Sequence, residues 1–161
     1  MKETTPMDDP TPMDERAPVV RTIDVSAPVD EAFKVFTEGM GAWWPLEVHS
    51  LYLERAATVT FDPIVGGRVT ERSADGEEAS WAEVLEYEPP TRFVLAWKPN
   101  TTPAPPTRLE VTFTPAAEGT HVELIHSGWE LLGDEWEEAR SSYSEGWIPT
   151  LERYARAAET P

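Results

Sequence analysis

The chain has 161 residues, with 30 acidic against 13 basic side chains, a net charge of −17 and no cysteine. That length fits one domain and a short tail, large enough to bury a core without a disulfide or metal staple. The missing cysteines exclude disulfides, thiolate metal sites and cysteine nucleophiles, and a polyanion is a poor partner for nucleic acid or an anionic membrane.

Residues 1–17 are rich in Pro, Thr, Met and Asp and lack hydrophobic periodicity, so they read as a disordered acidic tail before a domain over 18–159. The first ten residues hold no apolar run of the kind a signal peptide needs. No later stretch approaches the roughly 20 apolar residues of a membrane span, and a cytoplasmic location is expected.

Val19–Val25 alternates as a strand. Ser26-Ala27-Pro28-Val29-Asp30-Glu31 then reads as a helix start, with Ser26 or Ala27 at the cap and Phe33 and Phe36 one turn apart on the buried face. Gly39 and Gly41 break that helix, and Met40–Trp44 suggests a second short one stopped by Pro45. Strands are expected over residues 58–62, 67–73, 79–87, 92–98, 108–114 and 121–127, with Asn100–Pro106 as a hairpin loop. Their short connections imply an antiparallel meander. From about Asp134 to Glu159 the side chains Trp136, Arg140, Tyr143, Trp147, Leu151 and Tyr154 step along one helical face. Pro149, close to Gly146, predicts a kink. Strand, two short helices, about six strands and a long helix make an α+β layout. A bent sheet gripping one amphipathic helix leaves room for a pocket between the two.

The aromatic complement points the same way. Seven tryptophans are many for one small domain. Trp97 shares a strand face with Phe93 and Leu95, and Trp147 lies on the inner helix face. Trp81 is ambiguous, since it shares a face with Glu83, Leu85 and Tyr87 while the neighbouring Val84 points the other way. These rings are either core or the wall of a pocket for an apolar or aromatic molecule. His126 follows Val122 and Leu124 in phase, and Glu71 follows Val69. Both read either as buried polar groups satisfied internally or as a polar patch in the pocket. His49, after the Trp43-Trp44-Pro45 corner, is a loop or rim residue.

His49, Glu71 and His126 do not sit at metal-ligand spacing on any one element, so no metal is expected. No Gly-x-Ser-x-Gly turn is present, and Gly66-Gly67 lacks the Lys and Ser/Thr of a phosphate loop. No cofactor and no catalytic residue are assigned.

Several segments together resemble the START-like (SRPBCC) superfamily, in its bacterial branch similar to the activator of the heat-shock-protein-90 ATPase. They are Ala27–Phe33, Trp43-Trp44-Pro45, Gly66–Glu71, Trp81–Arg92, Trp97, His126–Trp129 and Gly146-Trp147 with Leu151. The resemblance runs from about Val19 to Tyr154. It implies a helix-grip fold, a curved antiparallel sheet of about six to seven strands wrapped around a long C-terminal helix. It does not imply a single function, because the superfamily hosts carriers, cyclases, lipid-transfer domains and co-chaperone modules.

The expected function is binding of a small hydrophobic or amphipathic molecule, by a monomer or homodimer. The ligand-facing set is Trp44, His49, Glu71, Trp81, Trp97, His126, Trp129, Tyr143 and Trp147. One alternative is a cyclase or dehydratase on a polyketide-like substrate, with His126 as acid–base and Tyr143 and Glu71 orienting it. Another is a co-chaperone-like protein partner, for which no chaperone-binding residue can be pointed to.

Overall fold

A computed structural model describes residues 17–99 and 104–159. The expected tail lies outside that range apart from Ala17, and so do residues 100–103 of the expected hairpin loop. Seven strands form one sheet: β1 Val19–Val25, β2 Ala56–Phe61, β3 Arg68–Ser73, β4 Glu78–Glu88, β5 Arg92–Trp97, β6 Thr107–Ala116 and β7 Gly119–Ser127. Helices α1 (Val29–Phe36) and α2 (Met40–Trp43) fall between β1 and β2, and α3 (Trp136–Glu159) follows a 3₁₀ segment at Trp129–Glu135. The spatial order is β1-β7-β6-β5-β4-β3-β2. Strands β2 to β7 are thus an antiparallel meander, and β1 pairs with the last strand, Val19 opposite His126 and Val25 opposite Thr120.

Alternation fixes which face turns inward. Leu109, Val111 and Phe113 on β6 are buried, as are Val122, Leu124 and His126 on β7. Strand β4 departs from this period twice. Thr70 pairs with Ser80 but Val69 with Ala82, and Val84 pairs with Leu95 but Glu86 with Val94. Each bulge inserts one residue and shifts the phase of the strand. Trp81 therefore faces the core at 1% exposure while Glu83, two residues on, faces solvent.

Helix α1 starts at Pro28, which has extended backbone and no side-chain cap, rather than at Ser26 or Ala27. Asp30 and Glu31 in its first turn favour the positive end of the helix. Phe36 meets Trp43, Phe93, Phe113 and Tyr154 with ring centroids 4.8–5.8 Å apart. The Tyr154 hydroxyl donates to the Ala32 carbonyl at 2.8 Å, fastening α3 to α1.

Helix α3 runs unbroken through Pro149. Non-helical backbone occurs earlier, at Gly133 inside the 3₁₀ segment, where φ is 64° and ψ −135°. Pro149 has no N–H to offer the Glu145 carbonyl. One residue further on, the Thr150 hydroxyl donates to the Gly146 carbonyl at 2.8 Å and supports the turn. Arginines tie the helix to its surroundings. Arg21 donates to the Ser144 carbonyl at 2.7 Å, and Arg153 donates to the Trp43 carbonyl at 2.9 Å and pairs with Glu47.

The tightest turn on the sheet is the β6–β7 hairpin. Gly119 has φ 148°, and a Cβ there would lie 2.0 Å from the Val25 carbonyl oxygen. Gly119→Ala is expected to cost about 1–3 kcal/mol, because backbone at both ends of that contact has to move. A urea midpoint equal to that of the parent would show that the close approach is absent in solution.

Candidate functional site

Between α3 and strands β4 and β5 the fold does not close. A cavity of about 280 Å³ remains. Its floor and walls are the rings of Trp44, Trp81, Trp97, Tyr143 and Trp147, and His49 stands at its mouth, largely exposed. The five rings come from four elements, so the chain has to be folded before the wall exists. Trp44 follows α2, Trp81 sits on the first β4 bulge, Trp97 ends β5, and Tyr143 and Trp147 are one turn apart on α3.

Neighbouring rings hold one another at centroid distances of 5.2 Å (Trp44–Trp81), 5.9 Å (Trp44–Trp97) and 5.8 Å (Trp97–Trp147). Tyr143 and Trp147 stack at 6.2 Å and 28°. Offset and edge contacts of this kind suit the quadrupoles of the rings. The aromatic complement thus divides into a solid cluster around Phe36 and a hollow one around the cavity. Trp43 and Trp44, 5.7 Å apart, join the two.

Every wall indole N–H is already committed. Trp44 donates to the His49 carbonyl at 2.7 Å, and Trp81 to Glu71 at 2.9 Å. Trp97 donates to the Tyr143 hydroxyl at 3.1 Å, and Trp147 to His126 Nδ1 at 3.1 Å. The cavity is consequently lined by ring faces and edges.

Three of the predicted ligand-facing residues are not on this wall. Glu71 is 0% exposed and lies behind Trp81. Its carboxylate accepts the Trp81 indole and the backbone N–H groups of Leu51 and Tyr52, at 2.7 and 2.9 Å, so it anchors the segment that forms the mouth. Of the two readings of Glu71 and His126, the buried one satisfied within the protein fits these bonds, and no bond joins the two residues among the described residues. Trp129 is also fully buried, its ring tilted 41° against that of His126 at 4.3 Å, and its Nε1–H finds no acceptor among the described residues.

His126 is the third. Trp147 gives Nδ1 a proton donor, so the ring's own hydrogen sits on Nε2 and donates to Thr107 Oγ1 at 2.8 Å. The Thr107 hydroxyl in turn donates to the Trp97 carbonyl at 3.2 Å. This chain of bonds assigns every hydrogen in the neutral form. Protonation would set an Nδ1–H against the indole N–H. Burial pushes the His126 pKa down to about 3. A neutral ring, buried and bonded at both nitrogens, presents neither a free lone pair nor a free N–H to the cavity.

Other lining residues carry little signal in the sequence. Ala139, Ser142, Gly146 and Thr150 reach the cavity from α3, and Val48 and Ser50 from the mouth segment. The helical ones were legible by spacing, since 139, 142, 146 and 150 share a face with Tyr143 and Trp147. The mouth segment has no periodicity to read. Among the described residues no cluster of His, Cys, Asp or Glu has the makings of a metal site.

Comparison with known proteins agrees with this architecture. The family model described as activator of Hsp90 ATPase homolog 1-like protein matches residues 26–159. No curated protein matches the chain. Among solved structures, the chain is similar to the anthrahydroquino-γ-pyrone synthase Txn09, with 32% identity, 88% of this chain and 97% of that one covered, and a TM-score of 0.61. It shares its fold with CalC, a self-sacrificing resistance protein from Micromonospora echinospora, at 24% identity, 89% and 95% coverage and a TM-score of 0.69. The Aha1 dimer from Colwellia psychrerythraea shares it too, at 16% identity, 88% and 96% coverage and a TM-score of 0.65. With the match spanning both short helices, strands β2 to β7 and the long helix, the chain belongs to the activator of Hsp90 ATPase homolog 1-like family.

Proposed function

We propose that this protein binds a small hydrophobic or aromatic molecule in the cavity between the curved sheet and α3. The observation that carries the reading is the wall itself. Five aromatic rings surround a space of about 280 Å³ instead of collapsing into it, and their indole N–H groups are satisfied within the protein. Apolar surface left facing a cavity gains stability when a ligand of matching shape displaces the water. His126 and Glu71, the polar residues that a catalytic reading would use, are bound up in the protein's own network behind the wall.

A second reading is favoured by the relative named as a synthase, at 32% identity. On that reading the cavity holds a polyketide-like substrate during ring closure. The group left to move a proton at the mouth is then His49, not His126. The co-chaperone reading gains less, because the outer face of β4, β5 and β6 carries an ion-pair network of Arg92 with Glu86, Glu88 and Glu110 rather than an apolar patch.

Titration with a planar aromatic probe tests the first reading. Binding is expected to quench tryptophan fluorescence. Trp147→Ala is expected to weaken it about tenfold by removing one stacking face. Ala139→Trp, which fills the cavity from α3 without deleting a core contact, is expected to abolish it while leaving the thermal midpoint near that of the parent. Quenching that survives Ala139→Trp would place the probe elsewhere and end the proposal. The synthase reading separates from it if turnover of a ring-closing substrate appears and is lost in His49→Ala.

A further inference from the structure

Two of the four hydroxyls that reach the cavity are already donating. Thr150 donates to the Gly146 carbonyl at 2.8 Å, and Ser50 donates to the Leu46 carbonyl at 2.7 Å while accepting from the Leu53 N–H. Ser142 lies exposed at the rim. Tyr143 differs. Its oxygen accepts the Trp97 indole N–H at 3.1 Å, and its hydrogen has no acceptor among the described residues. A phenol that accepts one bond keeps its own proton for another. Burial raises the Tyr143 pKa, so the group stays a neutral donor. The Trp97 bond also holds the oxygen in place, which lowers the ordering cost of using it.

We infer that the Tyr143 hydroxyl is the specificity-determining polar contact of the cavity, and that the ligand is a planar aromatic carrying a hydrogen-bond acceptor such as a ring carbonyl. The inference rests on the ligand-binding reading of the cavity and adds the chemistry of the molecule. The ring walls take the flat body of the ligand, and the hydroxyl takes its oxygen. A donor that the ligand cuts off from water and leaves without an acceptor is costly, so the site selects against the hydrocarbon of the same shape.

Fluorenone and fluorene share one outline and differ by a carbonyl oxygen. Calorimetric titration of the full chain with each is the test. The parent is expected to bind fluorenone about fivefold more tightly than fluorene, the scale of one net neutral hydrogen bond. Tyr143→Phe is expected to level the two affinities while still binding fluorene. Trp97→Phe, which removes the indole but keeps the hydroxyl, is expected to weaken both probes and preserve the ratio. The carbonyl stretch of bound fluorenone, read in the parent and therefore independent of any variant's folding, is expected to move to lower frequency than in an apolar solvent. Equal affinities in the parent, or a preference that survives Tyr143→Phe, would refute the Tyr143 contact and leave the cavity reading standing. Binding of neither probe would overturn both.

Discussion

Glu71→Ala is expected to cost on the order of 3–5 kcal/mol of folding stability and to loosen the mouth of the cavity. The Glu71 carboxylate is 0% exposed and accepts three N–H groups, from Leu51, Tyr52 and the Trp81 indole. Truncation leaves these donors without an acceptor where water has little access, and each such group costs about 1–3 kcal/mol. The methylenes lost from the interior add a cavity term. Glu71→Gln keeps one oxygen but turns an amide N–H₂ toward a donor, so it is expected to fall between parent and alanine. Glu83→Ala, on the solvent side of β4, is the control and is expected to change stability by less than about 0.5 kcal/mol. Urea denaturation measures all three. Hydrogen exchange adds a local readout, with the Leu51 and Tyr52 amides expected to exchange faster in Glu71→Gln. A Glu71→Ala loss no larger than that of Glu83→Ala would mean that the carboxylate does not hold the mouth segment.

Acidification is expected to destabilise the protein through His126. In the unfolded chain an imidazole has a pKa near 6.5, whereas in the folded chain burial holds His126 at about 3. The unfolded state therefore binds a proton first as pH falls. The stability contributed by the neutral ring is complete above pH ~6.5 and drains away toward pH ~3. At pH ~4.5, about two pH units below the unfolded-state value, roughly 3 kcal/mol of that stability is lost. His126→Gln can accept from Trp147 and donate to Thr107 without titrating. It is expected to be less stable than the parent at pH ~7, yet to lose about 3 kcal/mol less between pH ~7 and ~4.5. The 30 acidic residues titrate in both proteins and cancel in the difference. Parallel pH profiles for parent and variant would show that His126 is reached by solvent.

These two residues also mark where sequence reasoning reached its limit. Glu71 and His126 were legible as inward-facing, because each follows an apolar residue in the two-residue period of its strand. Whether they faced the cavity or the protein behind it was not. That choice depends on Leu51, Tyr52, Thr107 and Trp147, which are 20, 19, 19 and 21 residues away along the chain. Trp129 has the same history. It was expected among the ligand-facing residues, but the 3₁₀ segment after Gly128 packs its ring against the imidazole, off the cavity lining.

Taken alone, the amino-acid order determined the element types, the antiparallel meander and the inner face of α3. Periods of two and of 3.6 residues and the placement of Gly and Pro are local signals that the chain carries wherever it goes. It also determined that Trp97, Tyr143 and Trp147 would face inward. Only the tertiary structure decided that the rings of Trp44, Trp81, Trp97, Tyr143 and Trp147 enclose a space while those around Phe36 fill one. It likewise decided the face of Trp81, through a bulge that the composition of β4 does not announce, and the continuation of α3 through Pro149. The physical reason is common to all of these. A cavity, a bulge and a tolerated proline are balances between side chains brought together from distant parts of the chain, and a local pattern contains only one side of each balance.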